Sequence, residues 1–335
     1  MKHLEEMKHE LMCCTGCGYC KQNCPTLDIG GTEADSGRGR VFLSYGLLTG
    51  ELEEERSLVE ALQRCPLCGR CEQDCPSRIA ISDIIQAARR DLSMLLPPHE
   101  KLAMQIREHG TITGDEQRPD TEGGTVAFFP GCIATYRAPE LREAALSIFD
   151  HLDVDVTILE GCCGSPLDVI GEGNDRLPMV RERLAMHGVD TLVTGCPSGL
   201  LALQPLAGEV ELLHLSEFVL RQDVELETFG EQLLYHEPSV LGRKLEIYDA
   251  PRELLSRAGG FMEFDEHHEL AGCCGGDLAF RAAFPDTADE MARELRVEAA
   301  EKHAIVVTAS PQCYLQLKGH GDVIALEQVI AAVLR

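Results

Sequence analysis

Tryptophan is absent from this 335-residue chain, and aromatic residues make up only 5% of it. Its cores must therefore be built from leucine, valine, isoleucine and alanine, and the 44% hydrophobic content suffices for two or three domains of ordinary size. Basic residues are scarce too: 30 lysines and arginines against 56 acids leave a net charge of −26. That balance opposes binding to a nucleic-acid backbone or an anionic membrane surface. The acid surplus is spread along the chain, which fits a solvated surface or a salt-adapted host. Long apolar runs are missing. The longest uncharged stretch, Thr191–Gly208, contains Cys196, Pro197, Gln204 and Pro205 and reads as strand, turn and short helix rather than a bilayer span. Met1–Glu10 mixes Lys, His and Glu without an apolar centre, so neither a secretory leader nor a direct membrane span is expected. The expected location is the cytoplasm, with any membrane contact peripheral and made through a partner. No Gly-x-Gly-x-x-Gly stands between a strand and a helix, so no dinucleotide-binding domain is evident. No Ser–His–Asp or Cys–His nucleophile arrangement can be argued from spacing, and no catalytic residue is assigned.

What the chain does have is sixteen cysteines. Eight fall into two runs of one pattern, Cys14-x2-Cys17-x2-Cys20-x3-Cys24-Pro25 and Cys65-x2-Cys68-x2-Cys71-x3-Cys75-Pro76. This is the spacing by which bacterial ferredoxins hold two [4Fe–4S] clusters. Three cysteines two residues apart let a tight loop wrap one corner of a cube while backbone N–H groups point at its sulfides. In that pattern the fourth cysteine crosses to the other cluster, and the proline turns the chain away. The expected sets are Cys14, Cys17, Cys20 and Cys75 for cluster 1, and Cys65, Cys68, Cys71 and Cys24 for cluster 2. Zinc sites or a disulfide frame are the alternatives. Zinc favours separated cysteine pairs, and disulfides need an oxidising compartment. Cys13 falls outside the pattern.

Helical patterns lie around Arg38–Leu48, Leu52–Arg64 and Ile79–Leu95; Pro97 and Pro98 interrupt them, and a further helical stretch runs to about His109. Residues 1–110 are thus expected to be a helical domain around two clusters, and 111–124, rich in Thr, Gly, Asp and Glu, a linker. From Thr125 the text alternates strand and helix: Val126–Phe129, Pro139–His151, Val154–Leu159, Leu177–Met186, Thr191–Thr194. The order returns at Leu233–His236, Ala250–Ala258, Phe261–Phe264, Asp286–Lys302 and Ile305–Thr308, which suggests a duplication with halves 125–222 and 230–335. The fold class expected is a multi-domain α+β protein, a helical two-cluster ferredoxin-like domain followed by a duplicated α/β cysteine-rich region.

Cysteines mark the repeat. Gly161-Cys162-Cys163-Gly164 matches Gly272-Cys273-Cys274-Gly275, and Thr194-Gly195-Cys196-Pro197-Ser198-Gly199 matches Thr308-Ala309-Ser310-Pro311-Gln312-Cys313; Cys132 matches Ser239. Each position falls at the end of an expected strand, where the loops of an open α/β sheet gather. Adjacent cysteines on an extended backbone point to opposite faces, so both reach one centre only if the chain bends, and Gly164 and Gly275 allow that bend.

With these motifs the chain resembles the iron–sulfur family that joins a two-cluster ferredoxin domain to two CCG domains. Its members include the CCG-bearing component of the membrane-linked heterodisulfide reductase and the iron–sulfur subunit of glycolate oxidase. Ser36-Gly37-Arg38-Gly39-Arg40 and His236-Glu237-Pro238-Ser239, similar to a His-Asp-Pro-Cys turn, add to the resemblance. In that family a complete CCG domain has a lone Cys, the Cys-Cys-Gly pair and a closing Cys-x-x-Cys, and in the heterodisulfide reductases these hold a non-cubane [4Fe–4S] cluster. The first repeat keeps Cys132, Cys162, Cys163 and Cys196, with Gly199 in the last place; a third centre is expected there. In the second, Ser239 and Ser310 replace two cysteines, leaving Cys273, Cys274 and Cys313, and metal binding is left open. His236 could complete it, whereas His267 and His268 read as solvated. The resemblance implies an electron-transfer subunit relaying electrons through [4Fe–4S] clusters from a flavoprotein dehydrogenase that oxidises a 2-hydroxy acid such as glycolate or lactate, towards a quinone, a membrane subunit or another carrier. The alternative is a disulfide reductase of the CoB–CoM type, with the chemistry at a CCG-bound cluster.

Overall fold

A computed structural model describes residues 1–335. The N-terminal part is helical. In helix Ile81–Asp91, Ile81, Ile84, Ile85 and Ala88 recur every three or four residues and are all buried. They meet Leu4, Leu11, Val41, Leu47, Leu58 and Leu62 from four other helices in one core. The Asp91 carboxylate accepts the free N–H groups of His3 and Leu4, at 3.1 and 2.8 Å, and so fixes the N-terminal turn. Pro97 and Pro98 end one helical pattern by opening the next, at the first turn of helix Pro97–His109. Residues 111–124 contain no helix or strand. They are nevertheless tied down: Asp120 accepts the N–H of Glu160 at 3.0 Å and pairs with Arg183, and Thr121 N–H reaches Ile158 O at 3.1 Å.

Two four-stranded parallel sheets follow. β1 (Val126–Phe128), β2 (Val156–Ile158), β3 (Thr191–Thr194) and β4 (Glu211–His214) lie in the order β2-β1-β3-β4; β5 (Leu233–His236), β6 (Met262–Glu263), β7 (Ile305–Thr308) and β8 (Val323–Ala325) lie in the order β6-β5-β7-β8. The shared order gives the duplication a structural form. β4 and β8 were not foreseen: each runs directly into a helix with no turn residue between, so nothing in the sequence marks where the strand ends. β2 and β6 are shorter than their apolar text because each is an edge strand with one partner.

Alternation along the strands sorts the cores. Phe128, Val193, Leu233, Tyr235 and Val307 point inward, into one 21-residue core between the sheets, together with helices Pro139–His151, Leu215–Arg221, Asp249–Arg257 and Leu326–Val333. Ala127, Phe129 and Leu192 face an outer layer on the first sheet, and Leu234 and Val306 one on the second. The two repeats therefore share their middle layer.

Candidate metal centres

The structure gathers the eight N-terminal cysteines into two cavities of four. One is walled by Cys14, Cys17, Cys20 and Cys75, with Arg38 at its edge; the other by Cys24, Cys65, Cys68 and Cys71, with Gly37 and Arg40. Each cavity takes three cysteines from one run and the last cysteine of the other. The loops that wrap them need left-handed backbone: Gly16, Gly18 and Gly69 have φ of 68°, 85° and 72°, and Leu67, the counterpart of Gly16, takes 52° at a steric cost. Burial holds the Cys20 thiol up at about 11 and raises Cys65 and Cys71. Cys17 is exposed, and its thiol is lowered, mainly by the N–H of Tyr19. Thiols held up by burial, as those of Cys20, Cys65 and Cys71 are, suit a cationic centre that compensates their charge. The donor sets therefore fit iron–sulfur clusters.

The stretch Ser36-Gly37-Arg38-Gly39-Arg40 has a structural reading. Ser36 caps helix Gly37–Thr49 by accepting the N–H of Gly39 at 2.9 Å. A Cβ on Gly37 would sit 3.3 Å from Cys71 Sγ, so the helix start lies hard against the second cavity. Gly39 packs on the backbone of Glu33, where a Cβ would collide with the carbonyl oxygen. Arg40, 1% exposed, donates to Ala61 O, Thr26 Oγ1 and Arg64 O, and places a buried positive charge beside Cys65 together with Arg89. Sequence reasoning did not find Arg89, whose role depends on contacts with residues more than twenty positions away.

In the first repeat, Cys132 follows β1, the Cys162–Cys163 pair follows β2 and Cys196 follows β3, so all four stand at the carboxyl ends of the strands. Gly164 has φ 84°, and a Cβ there would run into Asn174, whose amide donates to Cys163 O at 3.0 Å. The Cys162 side chain neighbours those of Cys132 and Cys163; burial, then Cys163, pushes Cys196 up to about 12. A Cβ on Gly199 would lie 3.8 Å from Cys196 Sγ, so the missing closing cysteine would have faced this group.

The second repeat is arranged differently. His236 at the end of β5, Cys274 after β6 and Cys313 in the first turn of helix Pro311–Lys318 have ligand atoms all within 4.8 Å of one another, and all three residues are buried. Sequence reasoning grouped Cys273, Cys274 and Cys313; here the Cys273 side chain meets that of Cys68, and His236 stands with Cys274 and Cys313. The adjacent cysteines diverge as an extended pair does, Cys274 into the core of the second sheet and Cys273 against the cluster of Phe280, Ala288 and Met291. His267 and His268 form a separate group with Glu263, and His267 is exposed. Between the helical domain and both repeats lies a cavity of about 360 Å³, lined by Cys273, Cys274 and Cys313 and by Ser239, Ser310 and Lys244 among others.

Residues 10–79 match the family model of a 4Fe–4S dicluster domain, and residues 126–204 and 233–318 each match that of the cysteine-rich domain. The chain belongs to the CCG family of iron–sulfur proteins. A component of the CoM/CoB fumarate reductase of Methanothermobacter marburgensis is 29% identical over 349 residues, 92% of this chain and 69% of that protein. A component of the dihydromethanophenazine:CoB–CoM heterodisulfide reductase of Methanosarcina mazei is 29% identical over 380 residues, covering 97% and 92%. A protein of Bacillus subtilis described as a probable glycolate oxidase iron–sulfur subunit is 24% identical over 396 residues, covering 92% and 88%. Like these relatives, this CCG protein is an iron–sulfur subunit of the oxidoreductase type, suited to electron transfer. None of its helices is long and apolar enough to cross a membrane.

Proposed function

We propose that the chain is the relay subunit of a larger oxidoreductase, taking electrons from a flavoprotein dehydrogenase that oxidises a 2-hydroxy acid such as glycolate or lactate and passing them to a membrane subunit or another carrier. The observation that carries this reading is the pair of four-cysteine cavities side by side in the helical domain. Cys14, Cys17, Cys20 and Cys75 would hold one [4Fe–4S] cluster, Cys65, Cys68, Cys71 and Cys24 a second, and Cys132, Cys162, Cys163 and Cys196 a third iron–sulfur centre. Such clusters, when bound, supply one-electron redox centres. The protein's own residues do the rest. Exposed Cys17 puts the first centre at the surface, where a partner can approach; buried Cys68, touching Cys273, puts the second against the cysteine-rich region.

A second reading, cleavage of a disulfide, is favoured by one observation: the central cavity places Cys273, Cys274 and Cys313 beside the loop of Cys65 and Cys68. Anaerobic purification with iron and sulfide analysis, and EPR during stepwise reduction, tests both. Three centres predict about twelve irons per chain. About eight would remove the third centre, and iron-free protein would remove the relay. Reoxidation of the reduced chain by a small organic disulfide, with no other subunit present, would favour the reductase.

A further inference from the structure

The second repeat does not fit the iron–sulfur centre of a complete cysteine-rich domain. Ser239 stands for its lone cysteine and Ser310 for the first of its closing pair, and Cys273 faces away towards Cys68. What remains is smaller and tighter. We propose that His236, Cys274 and Cys313 form a mononuclear zinc site whose fourth position opens on the central cavity.

Three observations carry this. The first is spacing: the three ligand atoms lie within 4.8 Å of one another. A tetrahedral zinc with bonds of about 2.0–2.3 Å holds its ligand atoms about 3.5–3.8 Å apart, so a small inward movement of the side chains would close the site on one ion. A four-iron centre spreads its thiolates over several metal atoms and would require them to separate. The second is an orphaned donor. His236 is 2% exposed, and its Nε2 has no hydrogen-bond partner, although a buried polar atom without one is costly. Phe264 packs edge-on against the ring with centroids 6.1 Å apart, which limits its freedom to turn elsewhere. An imidazole nitrogen without a hydrogen-bond partner, beside two thiols, is available as a metal ligand. The third is the donor set: one imidazole and two thiols match a borderline-soft ion with no redox chemistry of its own.

Three protein ligands with a fourth position left to an exogenous ligand is the pattern of a reactive zinc rather than a structural one. Here Cys274 and Cys313 line the central cavity together with Ser310, Gln312 and Gly276, so the fourth ligand comes from that side. It is water at rest, displaceable by a soft anionic ligand such as a thiolate. Zinc does not change oxidation state, so the site binds and polarises rather than carries electrons. Cys273 stays outside it.

The test is metal analysis on full-length protein purified anaerobically from zinc-sufficient cells. The expected result is about one zinc per chain beside the iron. His236→Ala and Cys313→Ser should lose the zinc with iron unchanged, Cys273→Ser should keep it, and His236→Cys, which restores a third ligand, should keep it as well. Exchange with Co²⁺ should give thiolate charge-transfer bands in the wild type, and the d–d bands should shift when 2-mercaptoethanol is added. Zinc-free protein that also gives no cobalt spectrum overturns the proposal, as does iron lost from the Cys313→Ser variant or zinc kept by His236→Ala. Should His236→Ala fail to fold, His236→Cys and the wild-type cobalt spectrum decide. Iron content reports separately on the relay, so failure of one reading is distinguishable from failure of the other.

Discussion

Arg89 should set the reduction potential of the centre proposed at Cys24, Cys65, Cys68 and Cys71. It lies on helix Ile81–Asp91, 2% exposed, and donates to Leu62 O at 3.1 and 2.7 Å, to Cys65 O at 2.5 Å and, across the domain junction, to Val169 O at 2.9 Å. Burial pulls its pKa down to about 10, so it remains a cation at neutral pH. For a separation of about 7 Å and an effective dielectric of about 20, a unit charge interacts by about 2–2.5 kcal/mol, or roughly 100 mV for one electron. It favours the reduced state, because reduction adds negative charge. Arg89→Met should therefore lower the potential by roughly 100 mV in an EPR-monitored titration. Arg89→Lys keeps the charge but loses the fork that binds three segments, so it should shift the potential by less than about 30 mV while costing about 1–3 kcal/mol of stability. The lysine measurement belongs at mildly acidic pH, since the burial that lowers Arg89 would lower a lysine in its place as well. If Arg89→Met kept both iron and potential, or if Arg89→Lys fell as far as Arg89→Met, the charge would not be what the centre feels.

Cys75→Ala should remove the EPR signal and about four irons of the centre it shares with Cys14, Cys17 and Cys20, and leave the other centre in place; loss of the Cys65 centre instead would reverse the crossed assignment. Gly39→Ala drives a methyl group into the Glu33 carbonyl and should destabilise the helical domain by about 2–3 kcal/mol, read by urea unfolding together with reduced iron content. His99 is fully buried, Nε2 donating to Ala279 O at 3.0 Å, and burial lowers its pKa from 6.5 to about 4. The unfolded chain takes up this proton first as pH falls, so the stabilising contribution is complete above about pH 6.5 and is lost towards pH 4. Unfolding at pH 7.5 and pH 5 should show about 2 kcal/mol less of this loss in His99→Gln, and equal acid sensitivity of the two proteins would refute it.

Much of the architecture was legible because it repeats. Strands Thr191–Thr194, Leu233–His236 and Ile305–Thr308 stand where apolar runs end in turn residues, and the buried stripe of helix Ile81–Asp91 has the helical period. The grouping of the N-terminal cysteines follows from local spacing, which a tight loop translates directly into position. Less legible was anything decided by direction. Whether Cys273 and Cys274 converge depends on the bend between them, and here they part, which lets His236 enter a group that cysteine spacing had assigned to Cys273. Arg89 gave no signal either: nothing near it in sequence says that it reaches Cys65 and Val169. Strands β4 and β8 escaped because each passes into its helix without a turn residue to mark the boundary.

The apolar layer common to both sheets has a consequence for biosynthesis. Helix Pro139–His151 finds its main neighbour in helix Leu326–Val333, nearly two hundred residues later. A ribosome-bound chain that has finished the first sheet must hold Ile148 and Phe149 without their final cover until that helix emerges. During that interval the reduced thiols after β1, β2 and β3 hang from an unfinished scaffold, so insertion of metal into the cysteine-rich region should follow completion of translation, while the helical domain, whose core draws only on its own residues, is ready to be loaded earlier.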